Sequence, residues 1–163
     1  MDDFMREAPP FVRAWLFPEP GHLIGRGHAA GDFLEAYEWR ICDERAGFLR
    51  IQAHVPAHVK NPRGQMFGGF TPTYVDLVAL FTVRAGEPRG ELQLGTWLAT
   101  TNMRVDYFEP IVGPEFVIES QLVKRRGRTI FVETRFFDPE NILAVFATTT
   151  MREVSFDRPL GDV

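Results

Sequence analysis

A single cysteine, Cys42, in 163 residues excludes an intrachain disulfide and leaves no thiolate set for a zinc site, so a reducing, cytoplasmic setting is expected. The four histidines, His22, His28, His54 and His58, have no metal-ligand spacing, and the sequence has no HExxH pair; no metal is expected. No apolar run approaches the ~18 residues that suggest a membrane span. The opening Met1-Asp2-Asp3-Phe4-Met5 lacks the basic start and apolar core of a secretory signal. There is also no excess of positive charge: 18 Lys and Arg against 22 Asp and Glu give a formal net charge of -4, the wrong sign for a general nucleic-acid binder. There is no nucleophile elbow, P-loop or dinucleotide fingerprint, and no internal repeat. What is present is an ordinary globular composition, 45% hydrophobic and 25% charged, at a length suited to one domain with a substantial core.

Residues 1–30 hold Pro9, Pro10, Pro18 and Pro20 among Phe11, Trp15, Leu16 and Phe17. Proline disfavours a long regular element while the aromatics need something to pack against, so this segment is read as an arm on a single domain spanning 31–163. From Phe33 to Ile41 the odd positions Phe33, Tyr37, Trp39 and Ile41 are apolar, which predicts a strand. Asp43 to Gly47 is then a turn, and Leu49, Ile51, Ala53 and Val55 alternate inward on a second strand, making a hairpin. After a loop punctuated by Pro56 and Pro62 comes Thr71-Pro72, read as N-cap and first helical residue. The helix that follows is apolar nearly all round, from Tyr74 to Val83, so protein should surround it; Gly86, Pro88 and Gly90 end it.

Four strand-like segments complete the chain: Trp97 to Phe108, Phe116 to Arg125, Ile130 to Phe137 and Leu143 to Val154, read as a meander. In the first of these, Trp97, Ala99, Thr101, Met103, Val105 and Tyr107 share one face, with Thr100, Asn102, Arg104 and Asp106 on a polar opposite face. A sheet segregated from one long apolar helix is an α+β layout, and the sheet must curl round the helix to bury it.

Three features of the loop and helix carry chemistry. Asp76 is the one acid between Val55 and Arg84, in an otherwise apolar helix. A carboxylate there needs a partner or a polar cavity, and partial burial suits it to general-base work; a structural bond to backbone or to an arginine is the alternative. Gly68-Gly69 just before the helix permits close backbone approach, and an N–H of this turn, with the helix dipole behind it, can polarise a carbonyl. A plain tight turn is the other reading of the pair. Asn61 can orient a water or a carbonyl through its amide, or simply make a loop turn before Pro62.

The run Asn61, Gly64, Phe67, Gly68, Gly69, Asp76 resembles the signature of hotdog-fold acyl-CoA thioesterases, and the resemblance extends from about Phe33 to Val154. Thr101 to Pro110 looks like that family's strand after the helix, and Lys124-Arg125-Arg126-Gly127-Arg128 like its later hairpin. The phenylacetate-type branch has His where this chain has Phe67, so the role of that His is not carried over. The broad acyl-CoA hydrolases have Phe-Gly-Gly at this point and still use the helix Asp.

The resemblance implies a hotdog fold, a curled antiparallel sheet around one long central helix. It implies an acyl-CoA thioesterase with Asp76 as general base or nucleophile, the Gly69 N–H on the oxyanion, and Asn61 positioning water or carbonyl. Thr100, or its neighbour Thr101, would stand opposite Asp76 from a partner subunit. Phe67, Gly68 and Thr101 would contact substrate, and Lys124, Arg126 and Arg128 the phosphates of coenzyme A; a solvated hairpin is the alternative for the basic cluster. Coenzyme A enters as part of the substrate, with no other cofactor. A homodimer or homotetramer is implied, without nucleic-acid or membrane partners. A non-catalytic hotdog module binding acyl-CoA or another apolar ligand is one rival reading. A hotdog hydratase or dehydratase, with His58 as the loop candidate for its catalytic histidine, is the other.

Overall fold

The computed structural model describes residues 8–87 and 96–155. Residues 1–7 of the arm, the helix-ending Pro88 and Gly90, and the last eight residues lie outside this description.

Among the described residues the first element of the arm is a short helix α1 (Pro10–Leu16), whose proline stands in the first turn, where a missing N–H leaves no bond unmade. A second short helix, α2 (Ala29–Phe33), follows with His28 at its N-cap, and a 3₁₀ turn spans Ala36–Glu38. The strand expected from Phe33 therefore does not form. Glu35 takes a left-handed conformation, φ 53°, which breaks the extended run, and the strand β1 starts only at Arg40 (Arg40–Arg45). β1 pairs antiparallel with β2 (Phe48–His54) through a tighter turn than expected, Ala46-Gly47, with Gly47 at φ 70°. On β2 the alternation is as predicted: Leu49, Ile51 and Ala53 are buried, and Val55 continues them inward.

Helix α3 (Thr71–Val83) buries residues on all sides, including Tyr74, Val75, Leu77, Val78, Ala79 and Val83. Its N-cap is Phe70; Thr71 is already helical, and its hydroxyl donates to Met66 Sδ instead of capping. The remaining strands are β3 (Thr96–Tyr107), β4 (Glu115–Arg126), β5 (Thr129–Phe137) and β6 (Leu143–Ser155), each within a residue of its expected bounds.

All six strands form one antiparallel sheet in the order β1-β2-β4-β5-β6-β3. The last four are thus not a simple meander: β2 occupies the place beside β4, and β3 lies across the sheet as the far edge, paired to β6 alone. The sheet curls round α3, whose Tyr74 stacks on Trp39 with centroids 5.1 Å apart and meets Phe116 and Phe136 edge-on. The Tyr74 hydroxyl donates to the His54 carbonyl at the end of β2, 2.9 Å away. From the arm, Ala14, Leu23 and Ile24 join the same core cluster.

Candidate active site

Asp76 lies halfway along α3 and is only partly buried, on the stripe Thr73, Asp76, Leu77, Leu80. Residues at this spacing share one face of a helix. Facing the stripe is the N-terminal half of β3, from which Thr100 Oγ1 donates to Asp76 Oδ1 at 2.5 Å. The pair forms within one chain, where the resemblance implied a residue presented by a partner subunit.

A β-bulge creates this contact. The β3–β6 register slips between Thr100 and Asn102, leaving Thr101 without a ladder partner. Beyond it, Met103 and Val105 pack on the core as the alternation predicts. Before it the phase reverses, so Leu98 and Thr100 turn towards the helix, although unbroken alternation would send them out with Asn102 and Arg104. Thr101 itself turns away and donates to the Thr150 carbonyl, 3.1 Å distant.

Asp76 and Thr100 open onto a cleft of about 300 Å³. One wall is the α3 stripe and another is Trp97 to Thr100. The third is the arm, through Trp15, His28 and Ala30, whose place here has no signal in a proline- and glycine-rich stretch without periodicity. The lining is mainly apolar, so an apolar group beside the carboxylate is accommodated while Asp76, Thr100, Thr73 and His28 supply polar atoms. Burial lowers the pKa of His28 below the ordinary imidazole value, against the opposing effect of Asp32. Its Nδ1 accepts from the Gly31 N–H at 3.4 Å, so the neutral ring carries its proton on Nε2.

The other predicted residues are distributed around this pair. Gly68 and Gly69 form a 3₁₀ turn with Phe70 that runs directly into α3. Among the described residues nothing accepts from the Gly68 or Gly69 N–H, which leaves both as donors for a ligand. Gly69 is seven residues before Asp76, about 10 Å along a helix axis, and does not line the cleft. The exposed Phe67 ring lies over Gly69; a Cβ there would be 2.8 Å from Phe67 Cε1. Gly68 accepts from the Tyr107 hydroxyl through its carbonyl at 2.7 Å.

Asn61 is not brought to the pair. Its Oδ1 accepts from the Arg63 and Gln65 N–H groups at 2.9 and 3.1 Å, and its Nδ2 donates to Gln65 Oε1, so both ends of the amide organise the 61–65 turn. His58 is also engaged elsewhere, with Nε2 2.5 Å from the Phe33 carbonyl and its ring against Phe33. In the β4–β5 hairpin, Arg125 is ion-paired with Glu153, and Arg128 donates to Ser155 Oγ. Lys124 and Arg126 are exposed and have no ion-pair partner among the described residues.

One group among the described residues gathers metal-type donors: Glu35, Glu38 and His54, with one atom each within 4.8 Å of the others. His54 Nε2 and Glu35 Oε2 already contact each other at 2.7 Å, and none of the three lines the cleft. Their spacing in sequence carries no signal because they come from two separate elements. No helix of the described residues is long and apolar enough to cross a membrane.

The curled sheet, the single central helix and the acid midway along it define a hotdog-fold protein. A family model described as the thioesterase superfamily matches residues 63–145, and the chain belongs to that family. Among solved structures it is similar to a thioesterase from Haemophilus influenzae, at 11% identity over 79% of this chain and 85% of the other, with a TM-score of 0.64. A hypothetical thioesterase from Streptococcus pneumoniae, solved with coenzyme A, matches at 17% identity over 72% and 87%, with a TM-score of 0.60. Thioesterase superfamily member 2 from Mus musculus matches at 19% over 75% and 86%, with a TM-score of 0.62. At these identities the likeness establishes the fold. No curated protein matches the chain significantly.

Proposed function

We propose that the protein hydrolyses an acyl-CoA thioester to the free acid and coenzyme A. The observation that carries this reading is the Asp76–Thr100 pair at an apolar cleft on a thioesterase-superfamily fold. With one carboxylate oxygen held by the Thr100 hydroxyl, the other is free to take a proton from water. The water oxygen attacks the thioester carbonyl, the Gly69 N–H stabilises the oxyanion, and collapse of the tetrahedral intermediate expels the coenzyme A thiolate, which regains a proton. Direct attack by Asp76, followed by hydrolysis of the resulting anhydride, uses the same residues. Neither route needs a metal or an organic cofactor.

Lys124, Arg126 and Arg128 are suited to coenzyme A phosphates as exposed point charges and forks. The Streptococcus pneumoniae structure with coenzyme A supports a coenzyme A thioester as the substrate class. Because Gly69 lies about 10 Å from Asp76 along one chain and outside its cleft, this reading requires a homodimer in which the turn that meets Asp76 belongs to a second copy. The lone Cys42, exposed and unpaired, fits a reducing, cytoplasmic setting.

Thiol release from a panel of acyl-CoA esters tests this reading, and at least one ester is expected to turn over. Measurable binding without turnover of any ester would instead favour a non-catalytic acyl-CoA module. A hydratase gains one observation, since His28 shares the cleft with Asp76, although as a neutral ring it presents a donor and leaves Asp76 as the base. Loss of the conjugated enoyl-CoA chromophore would reveal that activity.

A further inference from the structure

The cleft beside Asp76 has a wall outside the family match, which begins at residue 63. That wall is the arm, and Trp15 is its largest side chain. The indole packs on three rings: Phe81 at 4.7 Å between centroids, His28 at 4.9 Å and Trp97 at 5.5 Å. Phe81 belongs to α3 and Trp97 to β3, so Trp15 bridges the two elements that form the other walls.

The backbone beneath it is independently fixed. The Gly25 N–H donates to the Ala14 carbonyl at 2.8 Å, and a Cβ at Gly25 would come within 3.3 Å of Ala14 Cα, so the loop at Gly25 lies in close contact with α1. Ala14 is buried in the main core, and the Gly27 N–H is held by the Asp32 carboxylate. A bulky ring on an anchored backbone, touching both neighbouring walls, limits the room available to whatever lies beside Asp76.

The helix stripe from Thr73 to Leu80 is about 10 Å long at 1.5 Å per residue. That is shorter than an extended long-chain fatty acyl group, and about 300 Å³ is at the small end of ligand cavities. We propose that Trp15 is the specificity-determining residue of this site, walling the cleft on its arm side so that it takes a compact apolar acyl group and turns away long straight chains. This inference rests on the thioesterase reading of Asp76.

The test is thiol release from acetyl-, butyryl-, octanoyl- and palmitoyl-CoA by the wild type, Trp15→Ala and Trp15→Phe, with folding followed by circular dichroism. Wild type is expected to favour the shorter esters. Trp15→Ala is expected to raise the palmitoyl-to-butyryl ratio of kcat/KM by about tenfold or more, the scale on which added methylenes are discriminated in apolar pockets. Trp15→Phe should keep the wild-type order. Leu80→Phe, which narrows the same cleft from the helix, should lower that ratio, and it decides the matter if Trp15→Ala does not fold. An unchanged ratio in the folded Trp15→Ala variant would overturn the proposal. So would an equal rise in KM for every ester, which would place the coenzyme A arm and not the acyl group against Trp15, or a wild type that prefers palmitoyl-CoA. If wild type hydrolyses none of the four, the wider ester panel decides the thioesterase reading separately, and calorimetric binding of the same series decides the size limit by the same order.

Discussion

Thr100 holds one carboxylate oxygen of Asp76, and the consequence of losing it is specific. Thr100→Val keeps the shape and the strand preference of the side chain but removes the donor, so kcat is expected to fall by about tenfold to a hundredfold, below the loss typical of removing a general base itself. Thermal melting should change little because the position is exposed. His28 gives a different signature. Its folded pKa is depressed by burial, so between that value and about 6.5 the unfolded chain binds a proton that the folded chain does not. Stability is therefore full above about pH 6.5 and declines as pH falls towards the folded pKa. Melting at pH 7.5 and pH 5.5 should show a larger acid loss for wild type than for His28→Gln; equal losses would contradict the assignment. At this scale Asp76 was legible as an acid in an apolar helix. Asn61 before Pro62 read from the residues as a turn and only by resemblance as a site residue, and the hydrogen bonds of its amide lie within the 61–65 turn.

At the scale of elements, α3 is tied to the sheet outside apolar packing by the Tyr74 hydroxyl on the His54 carbonyl as well as by the Asp76–Thr100 pair. Burial, with Glu35 nearby, raises the Tyr74 pKa and keeps the phenol a donor at all ordinary pH. Tyr74→Phe leaves the Trp39 stack intact and is expected to cost about 1–3 kcal/mol in urea unfolding, the range for a buried polar group left unsatisfied. The four long strands were legible because alternation and turn residues agree in each. The strand predicted from Phe33 failed because a period of two in a few apolar residues also fits a short helix followed by a 3₁₀ turn, and a left-handed Glu35 is invisible to periodicity. The bulge at Thr101 was hidden for a related reason: an extra residue reverses the phase of a strand without changing its composition. Counting back along β3 from the resemblance located Thr100, whereas alternation alone assigned it to the polar face.

For the molecule as a whole, the two sheet edges differ. β1 is short, bulged and charged, with Arg40, Asp43, Glu44 and Arg45, features that discourage edge pairing. β3 is twice as long and has a neighbour on one side only. Near its end, Tyr107, Phe108 and the nearby Phe67 are more than half exposed. A second copy covering β3 and these rings satisfies both the strand edge and the apolar surface. Analytical ultracentrifugation is expected to give at least twice the 18.6 kDa of one chain. A strict monomer at micromolar concentration would remove the dimer from the proposed mechanism. The arm could not be placed from its own sequence, since its position depends on ring contacts with Phe81 and Trp97, residues far along the chain.

The most direct test of the central claim is steady-state thiol release by Asp76→Asn on whichever acyl-CoA the wild type hydrolyses fastest. Asparagine preserves size and can still meet the Thr100 hydroxyl, but it can neither take a proton from water nor attack the carbonyl. The expected result is a fall in kcat of about 10²–10⁴ with the melting temperature retained. Turnover by Asp76→Asn at the wild-type rate would contradict the account.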